Sequence, residues 1–463
     1  MHIQSFINSS FCTSTNSFQK KNPFSLDSLH VADSCDTLQI VQAIQGAQKA
    51  FTEWKNSTIA ERINLLNKII KILEEKKLEF SKLESVDQGL NEKFILDHNV
   101  QAAKNCFVQA VQQLTSFTIK NEISYSATGV VAIIASWNLS LRVISERLAP
   151  ALAAGNAVIL KVSSQSPVTA YIIADILKAA DVPSGLVQVL VSNDMDVKNL
   201  LVTHPGIKAV SFVGQLKNAS DILKKITSQS LNQFKKIQIA TGSKNTAIAL
   251  SDANTPDFFN ILESFMMGQG QLSWNSNRLF ILEKFEKEWQ QKIESYFSEI
   301  KPAKAADDIS LWGPCIRAES FAQFTEIENM ALTDQAKLIQ PQLKLTEIQK
   351  KCFLRPTFTK DMSNCSTLQQ DQVTAPLFIL SVVKYPFDIA KYSNVSYYGQ
   401  SAHIWAEEEK IGKIADQLEV AQVFKNQWSV KHHHPNKGVK QSGFGIQDYQ
   451  VFGDFYSNVK KMT

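Results

Sequence analysis

The sequence is poor in glycine, in clustered cysteines and in long apolar runs. Glycine accounts for 17 of 463 residues, roughly half of the usual share of about 7%, and we find no internal repeat or low-complexity linker. The cysteines, at positions 12, 35, 106, 315, 352 and 365, fall in no CxxC or metal-ligand spacing, which argues against a zinc site and fits a reducing cytoplasm. No stretch approaches the roughly 18 apolar residues of a membrane-spanning helix. The polar N-terminus lacks the apolar region of a signal peptide.

The charge balance excludes a large basic surface. The chain has 48 Lys and Arg residues against 44 Asp and Glu residues, a net charge of +4, and both signs are interspersed. We therefore expect neither nucleic acid nor a membrane as a partner. Three adjacent histidines, His432–His434, cannot all face one ion from a single loop, so we expect no metal site there.

Short, β-branched apolar runs alternate with helical patterns through the middle of the chain. The runs cover residues 129–136, 157–162, 187–191, 209–213, 237–240 and 246–250, and helical stretches at 145–153, 166–180 and 217–228 separate the earlier ones. Buried strands that alternate with helices indicate a doubly wound parallel α/β sheet. Such a sheet binds ligands beyond the carboxyl ends of its strands.

The rest of the chain is assigned around this sheet. Residues 1–36 are polar and irregular, helical periodicity begins at 37, and 118–128 looks extended. A second α/β portion has strand-like segments at 278–282, 377–382 and 403–406. We predict a dinucleotide-binding domain at 1–117 and 137–252, a catalytic α/β domain at 253–430, and a small ribbon at 118–136 with a tail at 431–463.

Several short motifs, read in order, resemble those of the aldehyde dehydrogenase superfamily. They are SWNLSL at 136–141, LAPALAAGNAVILKVSSQSP at 148–167, SFVG at 211–214, ATGSKN at 240–245, GQLSWNSNR at 270–278, RPTF at 355–358 and KQSGFG at 440–445. Each motif is weak alone, but their order and spacing match from about residue 40 to the C-terminus. The resemblance implies two doubly wound parallel α/β domains plus an oligomerisation ribbon, and a dimer or tetramer.

Two positions that the resemblance marks as catalytic carry unsuitable residues. The family's nucleophilic cysteine is replaced by Ser273 in Gly270–Gln271–Leu272–Ser273, and its general-base glutamate is replaced by Ala240. A thiol is partly ionised at neutral pH, whereas a serine hydroxyl needs an adjacent base. Loss of a covalent nucleophile can lower a rate by about 10⁶.

The remaining family positions are partly kept. Asn138 matches the amide that stabilises the oxyanion, together with the backbone N–H of Ser273, although a purely structural amide explains Asn138 equally well. Trp137 beside it lines either the substrate tunnel or the nicotinamide pocket, or only packs. The positions that the resemblance assigns to the cofactor are Lys161, Ser164, Gly214, Gln215, Gly242 and Gln372.

Several of the cofactor positions carry residues that differ from the family pattern. Ser164 and Gln372 replace glutamates that contact the two riboses, Gln215 replaces a serine, and Ala219 replaces a glycine near the phosphates. The cofactor is therefore NAD or NADP if any is bound, and the sequence does not choose between them.

The main hypothesis is a catalytically degenerate aldehyde dehydrogenase homologue, a pseudoenzyme of the cytoplasm. It would act as a partner subunit of an active paralogue or as a ligand-binding protein, in a homo-oligomer or hetero-oligomer. The alternatives are an NAD(P)-dependent oxidoreductase that oxidises an aldehyde, and a weak serine esterase that uses Ser273 and the Asn138 oxyanion hole. An ordinary dehydrogenase would require a cysteine close in space to Asn138.

Overall fold

The computed structural model describes residues 1–116, 123–228, 234–303, 312–317, 319–428, 438–447 and 449–461. His432–His434 lie outside these residues. Within them, no helix is long and apolar enough to cross a membrane, and no group of three His, Cys, Asp or Glu side chains is arranged to hold a metal ion.

Strands and helices alternate along most of the described chain. The strands are β1 His2–Ile3, β2 Ser5–Ile7, β3 Ser10–Cys12, β4 Ser17–Lys21, β5 Ser28–Asp33, β6 Ile123–Ala127, β7 Val130–Ile134, β8 Ala157–Val162, β9 Val187–Val191, β10 Ala209–Val213, β11 Lys236–Ala240, β12 Asn245–Ala249, β13 Ser276–Leu282, β14 Lys337–Ile339, β15 Thr357–Lys360, β16 Leu377–Val383, β17 Tyr398–Gly399, β18 Ser401–Trp405, β19 Gln422–Lys425, β20 Val439–Lys440, β21 Gly443–Gly445 and β22 Ser457–Lys461. The α-helices are α1 Thr37–Trp54, α2 Ile59–Glu75, α3 Lys77–Gln88, α4 Glu92–Ile95, α5 Gln101–Thr115, α6 Ser140–Ala153, α7 Val168–Ala179, α8 Met195–Thr203, α9 Leu216–Ser228, α10 Phe258–Met266, α11 Glu286–Glu299, α12 Ser320–Thr333, α13 Gln349–Cys352, α14 Thr367–Gln370, α15 Asp388–Ser393 and α16 Glu408–Ala415.

The first sheet confirms the predicted doubly wound architecture. Its order is β21-β11-β10-β7-β8-β9-β2-β3, and β11, β10, β7, β8 and β9 are mutually parallel. Helices α6 to α9 connect these strands in turn. Because β8 and β9 follow β7 to one side while β10 and β11 lie on the other, the strand order reverses beside β7. A crevice opens beyond the carboxyl ends of the strands at such a point.

The second sheet has the order β14-β15-β16-β13-β12-β18-β19. Strand β12 pairs with β13 and β18, so it belongs to this sheet, although the predicted boundary at 252 placed it in the first domain. The predicted ribbon is also divided. Strand β6 pairs with β22 as a two-stranded ribbon, whereas β7 and β21 are members of the first sheet.

The expectation that residues 1–36 are irregular was wrong. This segment forms β1 to β5, and β2 extends the first sheet through the pairing of Phe6 with Val189 on β9. These strands are only two to six residues long, which is too short to show an apolar period. Their pairing partners lie far along the chain, and strand formation depends strongly on such context.

Candidate active site

A cleft of about 350 Å³ lies beyond the carboxyl ends of five parallel strands. Residues directly after each strand line it, namely Ala135 after β7, Ser163 after β8, Ser192 after β9, Gly214 after β10 and Thr241 after β11. This volume falls within the range of roughly 300 to 1,000 Å³ that small-molecule sites occupy. The cleft is therefore where the topology places a ligand.

The cleft brings together all the predicted site residues except one. Those that line it are Trp137, Asn138, Lys161, Ser164, Gly214, Gln215, Gly242, Ser273 and Gln372. They come from the first sheet and from the loops before β13 and β16. Their roles remain predictions, but their convergence across 235 positions of sequence (Trp137 to Gln372) is a property of the fold.

Ala240 is the exception, because its side chain does not line the cleft. It is the last residue of β11 and is only 3% exposed. Its carbonyl accepts the backbone N–H of Gly214 at 3.1 Å. Position 240 therefore supports the wall of the cleft, and the methyl group offers no proton acceptor.

A left-handed turn presents Trp137 and Asn138 to the cleft. Leu139 has φ 48°, which is uncommon for a residue with a branched side chain. Its N–H donates to Oε1 of buried Gln88 at 2.9 Å. The Ser140 hydroxyl lies 2.8 Å from the Trp137 carbonyl and 2.6 Å from the Ser166 hydroxyl. One bond within the turn and two bonds to other segments, at Gln88 and Ser166, fix the turn.

The Asn138 amide spans the cleft. Its Nδ2 donates to the carbonyl of Gln271 at 3.3 Å, two residues before Ser273. This contact gives the amide a structural role in this structure. Asn138 and Ser273 both line the cleft.

A strained loop carries Ser273. Gly268, Gln269 and Gly270 are all left-handed, with φ of 60°, 55° and 67°. Buried Asn275 ties the loop together, because its Nδ2 donates to the carbonyls of Ser264 at 2.9 Å and Met267 at 3.0 Å. Its Oδ1 accepts the Leu272 N–H at 2.9 Å.

The Ser273 carbonyl is also fixed. It accepts the Asn245 amide at 3.0 Å and the Ser243 hydroxyl. The backbone around position 273 is thus held from both sides, whatever side chain it carries.

The reactive groups of the cleft are few. Among the described residues that line it there is no cysteine, histidine or glutamate, and the one carboxylate is that of Asp194. Asp194 caps α8 by accepting the Asp196 N–H at 2.9 Å. Among these described lining residues, Ser273 therefore has no histidine or glutamate that could act as the base for its hydroxyl.

None of the six cysteines, all of which are described, lines the cleft. Burial raises the pKa of Cys35 and Cys352 to about 11 and that of Cys315 to about 12. Burial also raises the pKa of Cys106. These thiols are poor nucleophiles at neutral pH.

The other end of the cleft is cationic. Lys161 at the end of β8 and Lys198 on α8 both line it, and Arg317 lies on another wall. Burial lowers the pKa of Lys161 to about 8, opposed by Cys35 and aided to a smaller extent by the Lys198 ammonium. Burial also lowers the pKa of Lys198, opposed by the Asp221 carboxylate. Desolvated cations of this kind favour an anionic ligand.

Local backbone geometry fits a phosphate-containing ligand. Helix α9 begins at Leu216, directly after Gly214 and Gln215 in the cleft wall, and helix N-termini attract anions. A Cβ on Gly242 would stand 1.7 Å from Oε1 of Gln372, so a side chain there would displace the Gln372 amide. Ala219, which the resemblance places near the phosphates, is 2% exposed in the core and does not line the cleft.

Sequence reasoning missed one wall of the cleft. Ser192, Asn193, Asp194, Met195 and Lys198 line it after β9. The predicted strand at 187–191 ends directly before this segment. The rule that ligands lie beyond strand ends therefore carried enough information to find it.

This combination defines a class: a doubly wound α/β protein with a small-molecule cleft at its topological switch point. Comparison with known proteins identifies the family. The model of the aldehyde dehydrogenase family matches residues 11–462, and this chain belongs to that family.

Curated relatives and solved structures agree with this assignment. The 2-aminomuconic semialdehyde dehydrogenase of Mus musculus is 26% identical over 449 residues, covering 92% of this chain and 90% of its own length. The structure of HpcC from Thermus thermophilus has a TM-score of 0.91 at 24% identity, covering 100% of this chain and 93% of its own. An indole-3-acetaldehyde dehydrogenase of P. syringae, solved with NAD+ and IAA, has a TM-score of 0.89 at 21% identity, covering 99% and 96%.

Proposed function

We propose that this chain binds a pyridine dinucleotide, NAD or NADP, but does not oxidise aldehydes through a covalent intermediate. The observation that carries the proposal is the state of Ser273. It occupies the position where the family resemblance places a thiol, and no cysteine, histidine or glutamate joins it among the described residues of the cleft. Such a protein acts as a partner subunit or as a ligand-binding protein.

Steady-state assays test the proposal. Purified protein is mixed with aliphatic, aromatic and carboxylated aldehydes and with NAD⁺ or NADP⁺, and reduced nucleotide is followed by absorbance. We expect no aldehyde-dependent signal above that of heat-denatured protein. Turnover that Asn138→Ala abolishes and Ser320→Ala leaves intact would contradict the proposal, since Ser320 lines the same cleft away from the oxyanion position.

A second candidate is weak serine esterase activity. The fixed Ser273 backbone and the Asn138 amide, which donates to Gln271 at 3.3 Å, favour it, because together they approach the arrangement of an oxyanion site. Hydrolysis of a p-nitrophenyl ester would then disappear in Ser273→Ala and persist in Ser320→Ala. Equal rates of ester hydrolysis by wild type and Ser273→Ala would exclude Ser273 as the nucleophile and rule out this candidate function.

The third candidate is an aldehyde-oxidising, NAD(P)-dependent oxidoreductase, which family membership supports. It requires a nucleophile other than the six native thiols, since none lines the cleft. Mass spectrometry of protein quenched during incubation with aldehyde and nucleotide tests it. An acyl adduct on any cleft residue would favour this candidate over the first.

Assembly and location are proposed on the same basis. The β6–β22 ribbon corresponds to the predicted oligomerisation element, and we propose a cytoplasmic dimer or tetramer, alone or with an active paralogue. Light scattering of the purified chain tests self-association. A monomer at micromolar concentration that stays monomeric on concentration would leave only the mixed oligomer.

A further inference from the structure

The N-terminal strands reach the wall of the cleft through one buried lysine. Lys20 on β4 is 5% exposed, whereas Lys21 beside it is exposed. The Lys20 Nζ donates to the carbonyl of Ile316 at 3.3 Å. Ile316 is also 5% exposed, and it lines the cleft together with Arg317. Residues 312–317 form a cleft-wall segment that is therefore bonded, by a charged donor, to a strand almost 300 positions earlier in the chain.

The N–H of the same wall residue is bonded to the loop that carries Ser273. The Ile316 N–H donates to Oε1 of Gln271 at 3.2 Å. The carbonyl of Gln271 accepts the Asn138 amide at 3.3 Å. Three successive hydrogen bonds thus connect the N-terminal strands to the reaction end of the cleft. Because Ile316 and Gln271 are both buried, little water competes for the bond between them.

The C-terminal end of α3 makes a second connection between these regions. Its last residue, Gln88, accepts the Leu139 N–H at 2.9 Å and so holds the left-handed turn before α6. Gly89 follows with φ 73°, and a Cβ there would stand 2.9 Å from Cβ of Pro23 and 3.1 Å from Cγ of Pro314. Both prolines therefore lie against the backbone of Gly89, one from the N-terminal segment and one from the cleft-wall segment.

The lysine has a carboxylate in the same buried region. Asp87 on α3 is fully buried, and Nε2 of His30 on β5 lies 3.6 Å from its Oδ1. Burial lowers the pKa of Lys20, and the Asp87 carboxylate opposes that shift. Burial raises the pKa of Asp87 to about 7, opposed by Lys20. Burial lowers the pKa of His30 to about 4, so its ring is neutral at pH 7. The nearby carboxylate therefore favours the charged form of Lys20.

We propose that Lys20 is a positioning residue of the cleft, because its bond to Ile316 holds the cleft-wall segment in place. Through Gln271, the same bond restrains the loop that carries Ser273. The N-terminal strands then belong to the binding machinery as well as extending the first sheet. This role concerns the shape of the cleft and not the identity of its ligand, so it goes beyond the proposed function.

Hydrogen exchange of the intact protein, measured by mass spectrometry of its peptides, tests the proposal. Lys20→Met keeps the apolar stem and removes the donor to the cleft-wall segment. Loss of a buried, charge-assisted hydrogen bond leads us to expect amide exchange at least about tenfold faster in that segment and in residues 267–275. Lys21→Met, at the exposed neighbour on the same strand, is the matched control and should change neither rate.

Two further variants separate positioning from general packing. Lys20→Arg keeps a charged donor and should restore slow exchange in both segments. Gln271→Met cuts the next bond in the series. If Lys20 acts on the loop through Ile316, adding Lys20→Met to Gln271→Met should change exchange of residues 267–275 by less than about twofold.

Two results would overturn the proposal. The first is unchanged exchange of the cleft-wall segment in Lys20→Met. The second is equally faster exchange of Val130–Ile134 in the first sheet, because Lys20 would then stabilise the whole domain. If Lys20→Met does not fold, Lys20→Gln, which keeps a neutral donor on a shorter side chain, carries the same comparison with Lys21→Gln as its control.

Titration with NADP⁺ and NAD⁺ connects this role to ligand binding. Where wild type binds either nucleotide, Lys20→Met should weaken that binding about tenfold, and Lys21→Met should leave it within about twofold. Unchanged affinity in Lys20→Met would contradict the positioning role. If wild type binds neither nucleotide, the proposed function fails, and the exchange rates alone decide whether Lys20 positions the wall.

Discussion

The two ends of the cleft differ in which family features they retain, binding side chains at one end and only the backbone scaffold at the other. At the nucleotide end, charged side chains and close backbone approach remain, with Lys161, Lys198 and Gly242 in the cleft wall. At the reaction end the backbone scaffold remains, including the left-handed turn before Ser273 and the Asn275 bonds that hold it, but the side chains at positions 240 and 273 are a methyl group and a hydroxyl. The backbone scaffold can therefore persist without the reactive side chains, because residues that take no part in bond making fix its geometry.

The largest expected effect is a gain of reactivity at the reaction end. Ser273→Cys places a thiol in a partly exposed position of a cationic cleft, whereas four native thiols are buried or have a raised pKa. We expect iodoacetamide to alkylate Cys at 273 at least about 100-fold faster than those four, since reaction follows thiolate content.

Intact-mass measurement over time checks this labelling. Exposed Cys365 reacts in wild type and variant alike and serves as the internal reference, and Cys365→Ser removes it. An alkylation rate at position 273 no faster than that of the buried thiols would show that the reaction end is closed as well as inert.

The second effect concerns the scaffold of the reaction end. Asn275→Ala removes four buried hydrogen bonds, to Ser264, Phe265, Met267 and Leu272, and leaves their partners unsatisfied. We expect a loss of about 3 kcal/mol in the free energy of unfolding, measured by urea denaturation, with nucleotide affinity unchanged within about twofold. Exposed Asn56→Ala should stay within about 0.5 kcal/mol. A drop in nucleotide affinity with little loss of stability would mean that the two ends are coupled.

The third effect is the pH dependence of the nucleotide end. Since the pKa of Lys161 is lowered to about 8 by burial, the unfolded chain binds more protons than the folded chain between about pH 8 and 10. Stability from this residue therefore rises with pH across that window, and its burial penalty is fully present below pH 8.

Lys161→Met isolates that contribution. Compared with Lys161→Met, wild type should gain roughly 2 to 3 kcal/mol in its free energy of unfolding from pH 7.5 to pH 10. A difference between the two proteins that is flat with pH would show that the Lys161 amine is solvated and that the nucleotide end is less cationic than the geometry implies.

The smallest effect tests close approach in the cleft wall. Gly242→Ala would place Cβ 1.7 Å from Oε1 of Gln372, and the flexible glutamine can swing away. We expect less than about 1 kcal/mol of destabilisation but roughly tenfold weaker dinucleotide binding, because Gln372 also lines the cleft. Gln372→Ala together with Gly242→Ala should recover part of the affinity. Unchanged dinucleotide binding by Gly242→Ala would show that Gly242 does not contribute to the binding site.

The sequence predicted the buried parallel strands, which are visible as continuous apolar runs. Strands Ala157–Val162, Val187–Val191 and Ala209–Val213 match the predicted ranges, because buried parallel strands are continuous apolar runs. The short strands β1 to β5 were missed, since their stability comes from distant partners. Strand β12 was predicted, but its membership of the second sheet depends on pairing with β13 and β18, which no local pattern reports.

Site residues that belong to a motif were predicted from the sequence. Site residues that belong to no motif were missed, because only the folded geometry brings them to the cleft. Asn138 and Ser273 were found by resemblance and do line one cleft. Lys198 carries no motif, and only the folded structure shows that it lines the same cleft as Lys161. Ala240 was placed at the reaction centre, yet its side chain lies behind the wall, which depends on strand register with Val213.

The most direct test of the central claim is a single-turnover experiment. Protein saturated with NADPH is first shown to hold it by the change in nucleotide fluorescence, and protein saturated with NADP⁺ is then mixed rapidly with excess aldehyde. The account predicts bound nucleotide and no burst of absorbance from reduced nucleotide. A burst equal in amplitude to the concentration of cleft sites would show that aldehyde oxidation is retained and would contradict the account.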